Sequence, residues 1–249
     1  MGVRDFDASA AITAASGGAE KREYVRQVFS QIAPRYDLLN HLFSLNVDRA
    51  WRRRAISALE WRRNPQGAYV DLCAGTLDVS VMLSDERGFK GQVLAADFAE
   101  PMLRAGLTKA VGRSVSPVVS DALVLPLADN RGAGAIAAFG IRNVVNLDAA
   151  LHEVHRVLAP RARFVILEFT TPSNPVIRSL YHLYFHRILP AIGGVVSGHP
   201  TAYHYLPESV AHFPGPAALA ERMQAAGFVD VQWRSLTLGI AAIHTGIKR

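Results

Sequence analysis

Residues 68–78 read Ala68-Tyr69-Val70-Asp71-Leu72-Cys73-Ala74-Gly75-Thr76-Leu77-Asp78. A short apolar run follows the turn signal Asn64-Pro65-Gln66-Gly67, which predicts a buried strand. The chain then turns through Gly75 and enters a helix near Asp78. Backbone amides at such a turn point at a ligand, and glycine permits close approach. A strand-turn-helix with one glycine is also an ordinary connection. The spacing is not G-x-G-x-x-G, so a dinucleotide fingerprint is absent.

Reading outward from this stretch, strands and helices alternate. Strands are expected at Gln92–Asp97, Ser116–Ser120, Ala133–Phe139 and Phe164–Phe169. Between them, helices are expected at Val79–Ser84, Glu100–Ala110 and Leu147–Leu158. Such alternation predicts βαβ units and a parallel sheet, hence an α/β fold. Phe228–Trp233 and Gly239–Gly246 read as two strands with no helix between them, expected to pair antiparallel at one edge. Upstream, Val25, Val28, Phe29 and Ile32 recur at helical spacing, and a second helix spans Asp48–Leu59 with Trp51, Ile56 and Leu59.

The expected organisation is a disordered leader over 1–20 and one domain over 21–249. That domain divides into a helical cap (21–64), a ligand-binding core (68–170), an aromatic insert (171–216) and a C-terminal edge (217–249). The insert carries Tyr181, Tyr184, Phe185, Tyr203, Tyr205 and Phe213, with histidines interleaved. An insert after a strand of an open sheet lies at its carboxyl edge, so it reads both as core packing and as a pocket wall.

Composition narrows the function. Of 249 residues, 50% are hydrophobic and 19% charged, which excludes a disordered chain. One cysteine, Cys73, excludes a disulfide framework and any multi-cysteine metal site. No metal is expected. The net charge is +6 and the basic residues are mostly arginine. Compositional bias and attraction to an anionic partner both explain that. The leader lacks the apolar core of a signal peptide, and the apolar stretch 176–196 is interrupted by Arg178, His182, His186, Arg187 and Pro190. A cytoplasmic protein is expected.

Three successive strand ends carry polar groups. Asp71 and the Gly75-Thr76 turn follow the first. Asp97 closes the second, where a carboxylate accepts hydrogen bonds from two ribose hydroxyls or caps the next helix. Ser120-Asp121-Ala122 follows the third and suits the edge of an adenine. Together they outline a nucleoside site at a topological switch point. After the fourth strand, Gly140-Ile141-Arg142-Asn143 sits where a reacting group is expected. Arg142 either holds an anionic oxygen, with Asn143 orienting it, or serves as a structural ion-pair partner.

At this point the sequence resembles the quinone-biosynthesis C-methyltransferases of the demethylmenaquinone and ubiquinone pathways. The resemblance runs from about Glu23 onward. It is carried by Tyr36-Asp37-Leu38-Leu39-Asn40, Ala138–Val144, Arg156-Val157-Leu158-Ala159-Pro160, Leu167-Glu168-Phe169 and Tyr203-His204-Tyr205-Leu206-Pro207-Glu208-Ser209. It implies a seven-stranded, Rossmann-like class I methyltransferase sheet, S-adenosylmethionine as methyl donor and a polyprenyl quinol as acceptor. By position, cofactor contacts fall on Thr76, Asp97, Asp121 and Ala122. Tyr36, Arg142 and Asn143 fall on the acceptor side. The insert looks closer to the menaquinone branch, with the benzoquinol of the ubiquinone pathway as the alternative.

Leu77 stands where the family has a second glycine. A left-handed backbone there costs a non-glycine residue roughly 1–2 kcal/mol. A leucine crowding the methionine end of the cofactor would leave a quinone-binding pseudoenzyme. Asp48 replaces a histidine of the family, Gly132-Ala133 its Phe-Asp, and Ala159-Pro160-Arg161-Ala162 its Lys-Pro-Gly-Gly turn. The proton acceptor is open between a water near Tyr36 and His199, His204 or His212. Arg178, Arg187, Arg52-Arg53-Arg54 and Arg62-Arg63 are expected to hold the protein peripherally on an anionic inner-membrane face, or to be solvated helix faces. A homodimer is also open. Nucleic acid is excluded as a partner, because no Pro-Pro turn follows the fourth strand and basic residues do not interleave with stacking aromatics.

Overall fold

A computed structural model describes residues 19–33, 44, 46–184, 187 and 200–249; the side chains of 19–20 and 200–204 also lie outside the description. Two helices, α1 (Ala19–Ile32) and α2 (Val47–Ala58), precede the sheet. The alternating core follows as β1 (Ala68–Leu72), α3 (Asp78–Ser84), β2 (Gln92–Asp97), α4 (Glu100–Ala110), β3 (Val115–Val119), β4 (Gly132–Ala138), α5 (Leu147–Val157) and β5 (Leu158–Phe169). Helices α6 (Pro175–Leu183), α7 (Pro200–Ala211) and α8 (Pro216–Ala225) lead to β6 (Phe228–Leu236) and β7 (Ala241–Lys248). The leader, apart from its last two residues, and the Tyr36-Asp37-Leu38-Leu39-Asn40 motif lie outside the described residues.

The seven strands form one sheet in the order β3-β2-β1-β4-β5-β7-β6. The first five are parallel. β7 runs antiparallel to both β5 and β6, so β6 is the edge strand and β7 an interior one. β5 starts earlier than the apolar run implies. Leu158 pairs with Gly132 directly at the end of α5, and the register shifts before the main ladder resumes at Arg163.

Period-two burial divides the core into two apolar layers. Val70, Leu72, Ala135, Ala137, Phe164 and Ile166 face α5 and α8, meeting Leu151, Val154 and Met223. Tyr69, Val93, Ala95, Ile136, Val165 and Leu167 face α2, α3 and α4, meeting Trp51, Ile56, Leu83 and Leu103. Strands buried on both faces need near-continuous apolar runs, as the sequence has. Asn146 caps α5 by accepting from Ala149 N–H at 3.0 Å, and Asn174 caps α6 in the same way.

One contact fixes α4 against the first strand-helix turn. A Cβ on Gly106 would lie 2.4 Å from the Thr76 carbonyl oxygen and 2.8 Å from Leu77 Cγ. Backbone cannot yield cheaply, so only glycine lets α4 approach this closely. Gly106→Ala is expected to cost about 2 kcal/mol by overpacking, lowering Tm by about 4–8 °C in a thermal melt.

Candidate active site

A cleft of about 700 Å³ opens at the carboxyl ends of β1 to β4. It lies where the strand order reverses, because β1 is followed by α3 on one face and β4 by α5 on the other. Cys73 and Gly75 line it from the first turn, Asp97 and Phe98 from the second, Ser120, Asp121 and Ala122 from the third. Phe139, Gly140 and Asn143 close the fourth side, and Arg22 and Phe29 of α1 complete the wall.

The first turn is built from left-handed residues: Cys73 at φ 56°, Gly75 at φ 53° and Leu77 at φ 70°. Leu77 therefore occupies the conformation for which glycine is the ordinary choice. Its side chain does not crowd the cleft, contrary to the expectation. Leu77 is fully buried in the core layer with Val79, Leu83 and Leu103. Packing compensates the backbone, and the feature that argued for a pseudoenzyme is absent. Thr76 is buried and does not line the cleft; its carbonyl lies against Gly106 of α4. Asp71 also stands behind the wall. It is 1% exposed and accepts from Ser80 Oγ at 2.6 Å, tying β1 to α3. Burial pushes its carboxyl up to about 7, against the pull of the Ser80 hydrogen bonds and of Arg52.

Asp97 makes the backbone contacts expected of a residue that caps the next helix. Its Oδ2 accepts from Gly75 N–H at 2.8 Å and its Oδ1 from Ala99 N–H at 2.8 Å, so it fixes the first turn and the start of α4. Each carboxylate oxygen retains a further lone pair. Burial raises its pKa, opposed by the amides of Ala99, Gly75 and Phe98. Asp121 holds Leu123 N–H at 3.0 Å and is ion-paired with Arg22, which reaches across from α1.

The fourth strand end needs the largest correction. Arg142 is buried and is absent from the cleft wall. Its guanidinium pairs with Glu168 Oε1 at 2.7 Å, donates to Ser209 Oγ at 3.2 Å and to the Phe139 carbonyl, and sits over the Phe169 ring. Among the described residues its contacts are those of a structural ion-pair partner, one of the two readings given for it. Asn143 does line the cleft, and its buried Oδ1 has no hydrogen-bond partner among the described residues. Glycine at 140 lets the first and fourth turns approach closely, since a Cβ there would meet Cys73 Cβ at 2.3 Å.

Tyr36 and His199 lie outside the described residues, as does the side chain of His204. His212 is exposed, with its ring bonded to the Glu208 carbonyl at 2.9 Å, away from the cleft. No described residue of the insert lines the cleft; Tyr181 and Tyr205 are buried beneath it. Arg52 is buried between Asp48 and Asp78 rather than offered to a membrane. Sequence reasoning missed Arg22, Phe98 and Met102 as wall residues. Only the helical period of α1 hinted at Phe29. Among the described residues no cluster of metal-ligating side chains occurs.

This strand order, with its antiparallel final pair and a cleft at the switch point, defines a class I methyltransferase fold. A SAM-dependent methyltransferase from Thermotoga maritima superposes with a TM-score of 0.63 at 16% identity, over 90% of this chain and 99% of that one. The chain belongs to the ubiE/COQ5 methyltransferase family, whose pattern matches residues 18–248. A demethylmenaquinone methyltransferase from Thermus thermophilus is 47% identical over 88% of this chain and 99% of its own length. A ubiquinone/menaquinone biosynthesis C-methyltransferase from Geobacter sulfurreducens is 40% identical over 92% of this chain and 90% of its own.

Because Leu77 stabilises through its buried side chain, restoring glycine is expected to be harmful. Leu77→Gly relieves the left-handed strain but removes a fully buried leucine, for a net loss of about 1–3 kcal/mol by chemical denaturation. Cofactor affinity, read by calorimetry, is expected to stay within a few-fold of wild type.

Proposed function

We propose that this protein transfers the methyl group of S-adenosylmethionine to a ring carbon of a polyprenyl demethylmenaquinol, giving menaquinol. The observation that carries this reading is the cleft wall itself: a buried carboxylate, Asp97, fixed by two backbone amides beside glycine-lined space, in a chain of this family. The Thermus relative favours the naphthoquinol acceptor over the benzoquinol of the ubiquinone branch.

Asp97 would accept the ribose hydroxyls, with Asp121 and Ala122 at the adenine edge and Gly75 giving close approach. Asn143 would receive a donor from the methionine end or the acceptor ring. Thr76 and Asp71 act from behind, holding the turn. Arg142 is assigned a positioning role through Glu168, while Tyr36 remains a proposed acceptor-side residue. When bound, the cofactor supplies an electrophilic methyl on a sulfonium. The protein's task is alignment: an ionised ring hydroxyl raises electron density on the adjacent carbon, and holding that carbon in line with the methyl lowers the barrier by several kcal/mol.

The acceptor's tail belongs in a bilayer, so the protein must meet one. Among the described residues no helix is long and apolar enough to cross a membrane. α6 instead exposes Val176 (66%), Leu180 (60%) and Leu183 (52%) on one face, beside the exposed Arg178. An apolar stripe beside a basic residue has the form of an interfacial helix, which supports the proposal that the protein meets an anionic bilayer surface here.

Two experiments test these readings. With labelled methyl donor, wild type is expected to methylate demethylmenaquinol in preference to the benzoquinol precursor. Asp97→Ala is expected to weaken cofactor binding at least 30-fold, about the loss of two charge-assisted hydrogen bonds. In vesicle sedimentation, binding to anionic lipid is expected to fall with salt and to drop several-fold in Leu180→Asp, with little binding to zwitterionic vesicles.

A further inference from the structure

The chain between β3 and β4, residues 120–131, forms neither helix nor strand, yet it carries Ser120, Asp121 and Ala122 of the cleft wall. An irregular segment leaves backbone groups that need partners from elsewhere. Two side chains of α5 meet that need. The Arg156 guanidinium donates to the Leu127 carbonyl at 2.9 Å, the Leu125 carbonyl at 3.3 Å and Asp129 Oδ1 at 2.6 Å. It also donates to both carboxylate oxygens of Glu153, at 2.7 Å each. Glu153 Oε1 in turn accepts from Leu125 N–H at 2.6 Å. An arginine has five N–H donors, and all five are engaged here.

We propose that Glu153 and Arg156 are positioning residues for the adenine pocket: by clamping Leu125 and Leu127 to α5 they fix the aim of Asp121 at the cofactor. This rests on the reading of Asp121 and Ala122 as the adenine edge, and is independent of which quinol is methylated. The clamp reaches the wall through one short turn. Val124 N–H donates to the Asp121 carbonyl at 3.0 Å and Ser120 Oγ to the Val124 carbonyl at 2.9 Å, so Leu125 directly follows a closed turn. Leu125 and Ala122 are both buried in the layer that holds Leu151 and Val154 of α5. At the head of the turn the Asp121 carboxylate accepts from Leu123 N–H at 3.0 Å and pairs with Arg22, which leaves a lone pair on each oxygen for an amino group.

A partly exposed ion pair ordinarily contributes little to stability. Here the pair matters through geometry. The planar fork of arginine holds two loop carbonyls, Asp129 and Glu153 in one fixed arrangement, which a lysine ammonium with three donors cannot reproduce. Hydrogen bonds from Arg156 keep the Glu153 carboxyl below the ordinary carboxylate range, so the acceptor for Leu125 N–H stays ionised. A binding group displaced by a fraction of an ångström loses selectivity early. Its hydrogen bond to the correct base weakens while its repulsion of a wrong one is relieved.

The test compares calorimetric binding of S-adenosylhomocysteine with that of S-inosylhomocysteine, which carries a ring carbonyl where adenine has its amino group. Wild type is expected to bind the adenosyl compound about 30-fold more tightly, because Asp121 accepts from the amino group and repels the carbonyl. Arg156→Lys is expected to weaken S-adenosylhomocysteine about tenfold and to cut the discrimination to about threefold. General destabilisation lowers Tm without changing which base the folded protein prefers, so the ratio isolates positioning. Asp121→Asn is expected to lose the discrimination by itself, and adding Arg156→Lys to it is expected to change the ratio less than about twofold. Glu153→Gln keeps an acceptor for Leu125 N–H but not the charged pair. It is expected to fall between wild type and Arg156→Lys, and it serves if the lysine variant does not fold. Wild-type discrimination in Arg156→Lys, or in Glu153→Gln in its place, overturns the proposal while leaving the adenine reading intact. A wild type that binds both compounds alike overturns the adenine reading and the proposal with it.

Discussion

The structure depends on the parting of two neighbouring strands. β1 and β4 lie side by side and parallel, yet the chain leaves them toward opposite faces of the sheet. Their carboxyl ends must separate sharply, and the backbone registers the demand. Cys73, Leu77 and Phe139 all hold positive φ at these two ends, where only glycine does so freely. Strain of this kind persists where surrounding packing over-determines it. Here the packing is specific: Leu77 is sunk in the core, Phe139 is stacked against Phe169 at 4.7 Å, and Gly140 lets the two turns touch. The cleft is the space those departures leave.

That origin explains which site residues the sequence disclosed. Asp97 and the Ser120-Asp121-Ala122 stretch end strands, and a strand in an open parallel sheet delivers its last residue to the same rim as its neighbours. Alternation of strands and helices was enough to place them. Leu77 was legible as an odd residue but not as a harmless one. A side chain in left-handed backbone leaves in a direction that no periodicity predicts, and only the approach of α4 at Gly106 shows that it enters the core.

Arg142 was opaque for a different reason. A basic residue after the fourth strand looks available until its carboxylate is located. That carboxylate, Glu168, sits on the next strand, 1% exposed and directed at the same turn. Pairing between sheet neighbours far apart in sequence leaves no local trace. The wall contributed by α1 is hidden likewise: helical spacing showed that Val25, Val28, Phe29 and Ile32 share a face, but not which part of the sheet that face covers.

Buried charge is where these separate features meet. Taking an arginine out of water is tolerable only with a partner of good geometry, and Glu168 supplies it together with Ser209 and the Phe139 carbonyl. The pair thereby binds α7, β5 and the end of β4 into one rigid corner. A corner so satisfied has no capacity left for an incoming anion. Lys21, buried beside it, donates to the Arg142 carbonyl at 3.0 Å and ties α1 to the same corner. The permanently charged arginine thus fixes the geometry of this corner, and the lysine hydrogen bond joins α1 to it.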